Sequence, residues 1–294
     1  MTKKKVIYRK GGKVPPAKKD EVRYRRELQG VINSIWGDIK QLLLPVLQRH
    51  KGSETIQDSI QDGFIEEALA AIAAIKANHP DAISAPMAET FVNAVSGTQN
   101  FRFQNMVVNH GFNLSMKRII ASEKLQGTVN ASIASNTELI NNMKQEYIGK
   151  VAEAVTRNFT TGEFSRKNGG LTAEIRRLTK VSKNRADLIA LDQTHKLTAT
   201  LNQVRNESLG VIGYQWRTVK DKAVRGNPIG LYPNAKFNHW DREGKYYLYR
   251  PMNKPPLAPD GKPFRQPPKD GAPGQSIRCR CSAVPVIPND LILK

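Results

Sequence analysis

Cysteine is nearly absent: the chain has two, Cys279 and Cys281, one residue apart near its C-terminal end. That supply excludes a disulfide framework, and neighbours this close in an extended segment cannot easily reach disulfide geometry. No run approaches the roughly eighteen apolar residues of a membrane span, and nothing near the N-terminus has the apolar core of a signal peptide. A protein made and kept in the cytoplasm, with thiols or a metal site in place of a structural bridge, is the expectation. A phosphate-cradling glycine motif, a His-Glu-x-x-His helix and a serine nucleophile elbow are also missing, which argues against familiar NTPase and hydrolase roles. Acidic residues are scarce as well. Asp and Glu number 26 against 46 Lys and Arg, giving a formal net charge of +20. So much uncompensated charge implies a polyanion or an acidic protein surface as partner.

The charge is uneven. Residues 1 to 27 hold Lys3, Lys4, Lys5, Arg9, Lys10, Lys13, Lys18, Lys19, Arg23, Arg25 and Arg26 against Asp20, Glu21 and Glu27, with Gly11-Gly12 and Pro15-Pro16 as breakers. The segment reads as a flexible, solvated basic arm that contacts nucleic acid or an acidic partner without reading base sequence. Its aromatics are sparse, only Tyr8 and Tyr24, so stacking on single strands is not indicated.

Beyond the arm, apolar residues recur at Leu28, Ile32, Ile35, Ile39, Leu42 and Val46, the period of an amphipathic helix with a kink at Pro45. A second helix is expected from Ser53 as N-cap, with Ile56, Ile60, Phe64, Ala68, Ile72 and Ile75 on one face, ending before His79-Pro80. Helical pieces follow at 88 to 94 and 116 to 124, then helices at 137 to 159, 171 to 178 and 184 to 208, the last closed by Gly210. After Gly213 the pattern changes to short strands at 214 to 219, 245 to 250 and 278 to 287, with a loop between the second and third that is too proline-rich for regular structure. The fold class is therefore α+β, a mainly helical body followed by a small, loop-rich β module. Its expected divisions are the arm 1 to 27, helical regions 28 to 135 and 136 to 213, and the module 214 to 294.

The module carries the candidate chemistry. Residues i and i+2 of an extended segment face one side, so Cys279 and Cys281 can address a single point. Asp221 and His239 are the natural candidates to share it. Two thiolates, an imidazole and a carboxylate are all ligand types that zinc accepts. Two other readings stay open: a structural polar cluster, and a catalytic cysteine with His239 as base and Arg278 and Arg280 lowering the thiol pKa. His195 and Asp192 share a helix face, and a solvated surface pairing, with Lys196 as rival partner for Asp192, is expected there.

Taken in order, Trp216-Arg217-Thr218, Asp221, Val224-Arg225, His239, Gly244 and Pro273-Gly274-Gln275-Ser276-Ile277-Arg278-Cys279-Arg280-Cys281 resemble the C-terminal domain of the phage Mu F-like head morphogenesis proteins, a minor capsid family. The resemblance extends upstream through Arg185-Ala186-Asp187-Leu188-Ile189-Ala190-Leu191-Asp192-Gln193-Thr194 and covers roughly residues 136 to 287. It implies a structural, non-enzymatic minor head component of a tailed bacteriophage, found in the virion and in the host cytoplasm during assembly. Its implied partners are the portal or major capsid protein. The positive charge adds the packaged double-stranded DNA. The alternative is a DNA-processing or toxin-like enzyme centred on Asp221, His239 and the cysteines.

Overall fold

The computed structural model describes residues 8 to 49, 63 to 110, 123 to 161 and 170 to 288. Helices dominate and a small sheet closes the chain, so the fold is α+β as expected. The order is β1 (Tyr8–Lys10), α1 (Lys18–Asp38), a π-helical turn (Ile39–Leu43), α2 (Leu44–Arg49), α3 (Phe64–Asn78), α4 (Ser84–Asn109), α5 (Glu123–Thr161), α6 (Gly170–Ser208), β2 (Gly213–Arg217), β3 (Tyr246–Leu248) and β4 (Ser282–Pro288). Two compact units result. Unit 1 takes residues 1 to 21, 91 to 132 and 191 to 294, and unit 2 takes 22 to 90 and 133 to 190, so the boundaries fall inside α1, α4, α5 and α6. The four consecutive divisions expected from the sequence do not match this partition, because long helices carry the chain from one unit into the other.

Unit 2 is a helical core. Leu28, Ile32 and Ile35 of α1, Ala68 and Ile75 of α3, and Ile140, Met143, Tyr147 and Val151 of α5 are buried. The expected α1 seam slips at its end: Leu42 is 36% exposed while Leu43 is fully buried. Pro45 has no N–H to return to the preceding turn, and the π-helical turn, in which Leu44 N–H donates to Ile39 O, inserts one residue just before it. Val46, the next residue of the expected seam, is buried as expected. Gly97, Gly127 and Gly149 lie within long helices without ending them, and the two helices expected over 171 to 208 run as the single α6, since nothing between them interrupts the ladder. Ser53, Ile56 and Ile60, like residues 116 to 122, lie outside the described residues.

Unit 1 contains the sheet, whose strand order is β1-β4-β2-β3 with every neighbouring pair antiparallel. Tyr214 and Trp216 of β2 share one face with Tyr247 and Tyr249, and pack on Phe103, Met106 and Val107 of α4 and on Leu209 and Val211. The other face buries Tyr246, Leu248 and Val286 against Phe264 and Ala258 of the proline-rich loop. A sheet covered on both faces fixes its register tightly, because a slip of one residue would exchange the two sets.

The solvated arm is overturned for its described part. Tyr8, Arg9 and Lys10 form an edge strand opposite Pro288, Ile287 and Val286, and α1 begins at Lys18 with Glu21, Tyr24 and Leu28 buried. An edge strand needs only a partner with free backbone groups, and β4 supplies one. Lys3, Lys4 and Lys5 lie outside the described residues.

Candidate metal centre

Four segments of unit 1 converge below the sheet. His239 precedes a single 3-10 turn (Trp240–Arg242), Asp270 comes from the proline-rich loop, Cys279 and Cys281 lead into β4, and Asp192 comes from α6. Each is locked by the backbone around it. His239 N–H donates to Arg225 O (3.0 Å), and Gly244 N–H donates to Trp216 O (2.9 Å), so the His239 turn is tied to β2 on one side and to the Val224-Arg225 loop on the other. Gly274, at φ +89°, lies where an added Cβ would stand 3.2 Å from both His195 O and Ala199 Cβ of α6, and its N–H donates to Cys279 Sγ (3.4 Å). Only glycine accommodates both the left-handed backbone and the close approach.

Asp192 does not form the surface pair expected of it. It is buried, and its Oδ1 accepts the N–H of Arg278 (2.6 Å), a residue held at φ +57° immediately before Cys279. A carboxylate under a left-handed turn steadies a conformation that non-glycine residues resist. Asp192 therefore positions the first thiol. His195 is also buried, and burial pushes its imidazole below the ordinary histidine range.

Three ligand-type atoms meet. Cys279 Sγ and Cys281 Sγ lie 3.5 and 3.9 Å from the same nitrogen, His239 Nδ1. The three atoms fall within 4.8 Å of one another, all on buried residues, a group that could hold a metal ion. The ring's other nitrogen, Nε2, stands 2.8 Å from Asp270 Oδ2. Asp270 is in turn ion-paired to Arg242 (2.7 Å), and its backbone oxygen accepts Ser276 Oγ–H (2.9 Å). Although burial pushes the Asp270 carboxyl up, hydrogen bonds with His239 and Arg242 hold it below its ordinary value. An ionised Asp270 accepts a hydrogen bond from Nε2–H, which turns Nδ1 toward the sulfurs. This carboxylate–imidazole arrangement is how metal-binding histidines are commonly fixed.

The Cys279 thiol is pushed below its ordinary value, first by its hydrogen bond with Cys281, against burial and with help from His239 and the Gly274 N–H. Cys281 is driven up by the same hydrogen bond and by burial. Trp216 packs its ring edge-on to His239 at 5.1 Å between centroids and carries the Arg242 guanidinium 4.8 Å over its face, so the imidazole is walled off on that side.

Of the residues singled out in the sequence, His239, Cys279 and Cys281 come together and Asp221 does not. Asp221 is bound by the Arg280 guanidinium and accepts Ala223 N–H (3.0 Å). Asp221 lines the same cavity as the thiols, but its carboxylate is taken by Arg280. Arg278 is exposed. Asp270 is the residue that sequence reasoning missed. It stands among proline and glycine with no neighbouring pattern, and only its charge in an apolar-poor loop marked it.

Among the arm residues, Lys10 lies over the Tyr246 ring, Lys18 pairs with Glu21 (2.6 Å), and Arg23 and Arg25 stand 3.9 and 4.0 Å from Glu27 and Asp187. Lys13, Lys19 and Arg26 are exposed.

The chain is 27% identical, over a 295-residue alignment, to an uncharacterized protein of Haemophilus influenzae. That alignment covers 99% of this chain and 58% of the relative, so the chain spans little more than half the length of the protein it matches. No family model and no solved structure matches the chain.

Proposed function

We propose that the chain is a minor head protein of a tailed bacteriophage, acting by binding and positioning near the portal. In this reading its C-terminal module is held by a zinc ion on His239, Cys279 and Cys281. The observation that carries it is convergence. Residues of the Mu F-like pattern scattered from Trp216 to Cys281 bind one another: Trp216 faces His239, His239 faces both cysteines, and Arg225 Nη2 donates to Ile277 O (2.8 Å). Such a pattern is what a stapled module requires, and a small loop-rich unit gains most from a staple. The positive charge supports contact with packaged DNA, and acidic surfaces of the portal or major capsid protein fit the same charge. Mass spectrometry of purified particles from cells producing an epitope-tagged chain tests this reading. The chain should be present at far fewer copies than the major capsid protein. Particles that lack it while the tagged chain accumulates folded would overturn the assignment.

One observation favours a second reading. Cys279, His239 and Asp270 also stand in the order nucleophile, base, orienter, as an enzyme would need. The Cys281→Ser variant separates the two. A nucleophilic Cys279 keeps its base and orienter without Cys281, whereas a metal centre loses a ligand. Convergence of both thiols on one nitrogen brings three ligand-type atoms together at once and is the reason the metal reading is preferred.

A further inference from the structure

His239, Cys279 and Cys281 form one wall of a cavity of about 600 Å³. This size lies within the range of small-ligand sites, about 300 to 1,000 Å³. Structural zinc sites are closed by four protein ligands, while sites that bind an external group present three and leave the fourth position open. Here three ligand atoms meet among the described residues, and Asp221, which also lines the cavity, is occupied by Arg280.

The remaining wall determines what could fill that position. Arg225, Arg278 and Arg280 face the cavity against the single carboxylate of Asp221. Two thiolates neutralise a divalent ion, so the surplus of guanidinium charge favours an anion as fourth ligand. Leu231, Tyr232 and Ile277 line the same space with 66%, 48% and 57% of their surface exposed. An anion carried on an apolar body suits this lining, and a bare phosphate or a duplex backbone does not.

We propose that the centre keeps an open coordination position and takes a carboxylate on an apolar body, either a small branched acid or the terminal carboxylate of a peptide segment. This rests on the metal reading above and goes beyond the staple role.

The full chain loaded with Co(II) in place of zinc provides the test, because ligand-field absorption reports the cobalt coordination directly. Elemental analysis first establishes the metal content. A chain that takes up no metal in proportion removes the metal reading itself. A chain with one equivalent of cobalt is then titrated with isovalerate, with the peptide acetyl-Ala-Ala-Leu bearing a free carboxylate, with its C-terminal amide, and with inorganic phosphate. Saturable spectral change with isovalerate or the free peptide, and none with the amide, supports the inference, and the tighter of the two identifies the source. Arg225→Gln should raise the half-saturating concentration about tenfold, the effect of losing one charged hydrogen bond. Leu231→Glu, a change on an exposed side chain, should weaken binding similarly while leaving cobalt content at one equivalent. A spectrum unmoved by either carboxylate, or moved equally by phosphate, would overturn the open carboxylate site while leaving a closed metal centre standing.

Discussion

Asp270 Oδ2 lies 2.8 Å from His239 Nε2, and this contact decides which ring nitrogen faces Cys279 and Cys281. Zinc content is the first consequence: purified protein should carry about one equivalent. Asp270→Ala, which frees the ring to take the other tautomer, should weaken zinc binding by about 10- to 100-fold in a chelator competition. Cys281→Ser should weaken it further and destabilise unit 1. Equal zinc affinity in Asp270→Ala and the parent would mean that the carboxylate does not orient the imidazole.

Nucleic-acid contact, if it resides in the N-terminal basic residues, belongs to a structured surface. Deleting residues 1 to 26 would remove β1, the start of α1 and the buried Tyr24, so loss of binding in that variant would report misfolding. Charge removal at the exposed Lys13, Lys19 and Arg26 is the cleaner experiment. Each residue that meets a phosphate should lower the slope of log affinity against log salt by about 0.9 on duplex DNA. An unchanged slope in the triple Gln variant, with the fold intact, would place the contacts elsewhere or assign these residues to an acidic protein surface.

The sequence made the helical periodicity of α1, α3 and α5 legible, along with the three C-terminal strands and the convergence of His239, Cys279 and Cys281. Those features follow from local repeats and from the i, i+2 geometry of an extended segment. Other features depend on partners distant in sequence. The Tyr8–Lys10 strand exists because β4 offers it a free edge, and Asp192 is buried because the Cys-Arg-Cys loop needs an acceptor under Arg278. The exchange of Asp221 for Asp270 has the same origin. Arg280 takes the Asp221 carboxylate as its own partner, a contact across 59 residues that no local pattern announces. The slip from Leu42 to Leu43 lies in the π-helical turn just before Pro45, a local change that apolar periodicity does not carry.

Gly226 should be intolerant of a side chain. Its φ is +79°, and an added Cβ would stand 2.0 Å from Asn238 Oδ1, next to His239. Gly226→Ala therefore combines left-handed strain of about 1–2 kcal/mol with displacement of Asn238. Thermal unfolding should show the loss. Adding Asn238→Ala removes the clash and leaves the strain, so the double variant should be more stable than the sum of the singles predicts. Strict additivity would show that Asn238 already moves aside without cost.

Glu207 sets an acid limit for unit 1. Burial pushes its carboxyl up, but hydrogen bonds from Arg250, Gln203 and Lys124 outweigh this and hold it down at about 2, against an ordinary value of 4.5. A folded-state pKa below the unfolded one contributes stability that is present above about 4.5 and is lost as pH falls toward 2. Glu207→Gln should thus lower stability at neutral pH and flatten its fall across that window. Parallel acid profiles for the variant and the parent would remove Glu207 as a contributor.

The proposed function makes a final prediction, that the protein acts without turnover. Under it His239→Ala harms particle assembly only so far as it loosens the module, because the imidazole's role is to hold the metal and to pack against Trp216. A compensating stabilising change remote from the site should then restore infectivity in proportion to the stability recovered. A catalytic His239 would behave differently, since no gain in stability replaces a missing base, and well-formed particles would stall at one chemical step. The measurement is infectivity plotted against unfolding midpoint for His239→Ala alone and with second-site stabilisers. Points that return to the parent's line support a positioning role. A variant with parental stability, parental particle yield and no infectivity would transfer the assignment to the enzyme built on Cys279, His239 and Asp270.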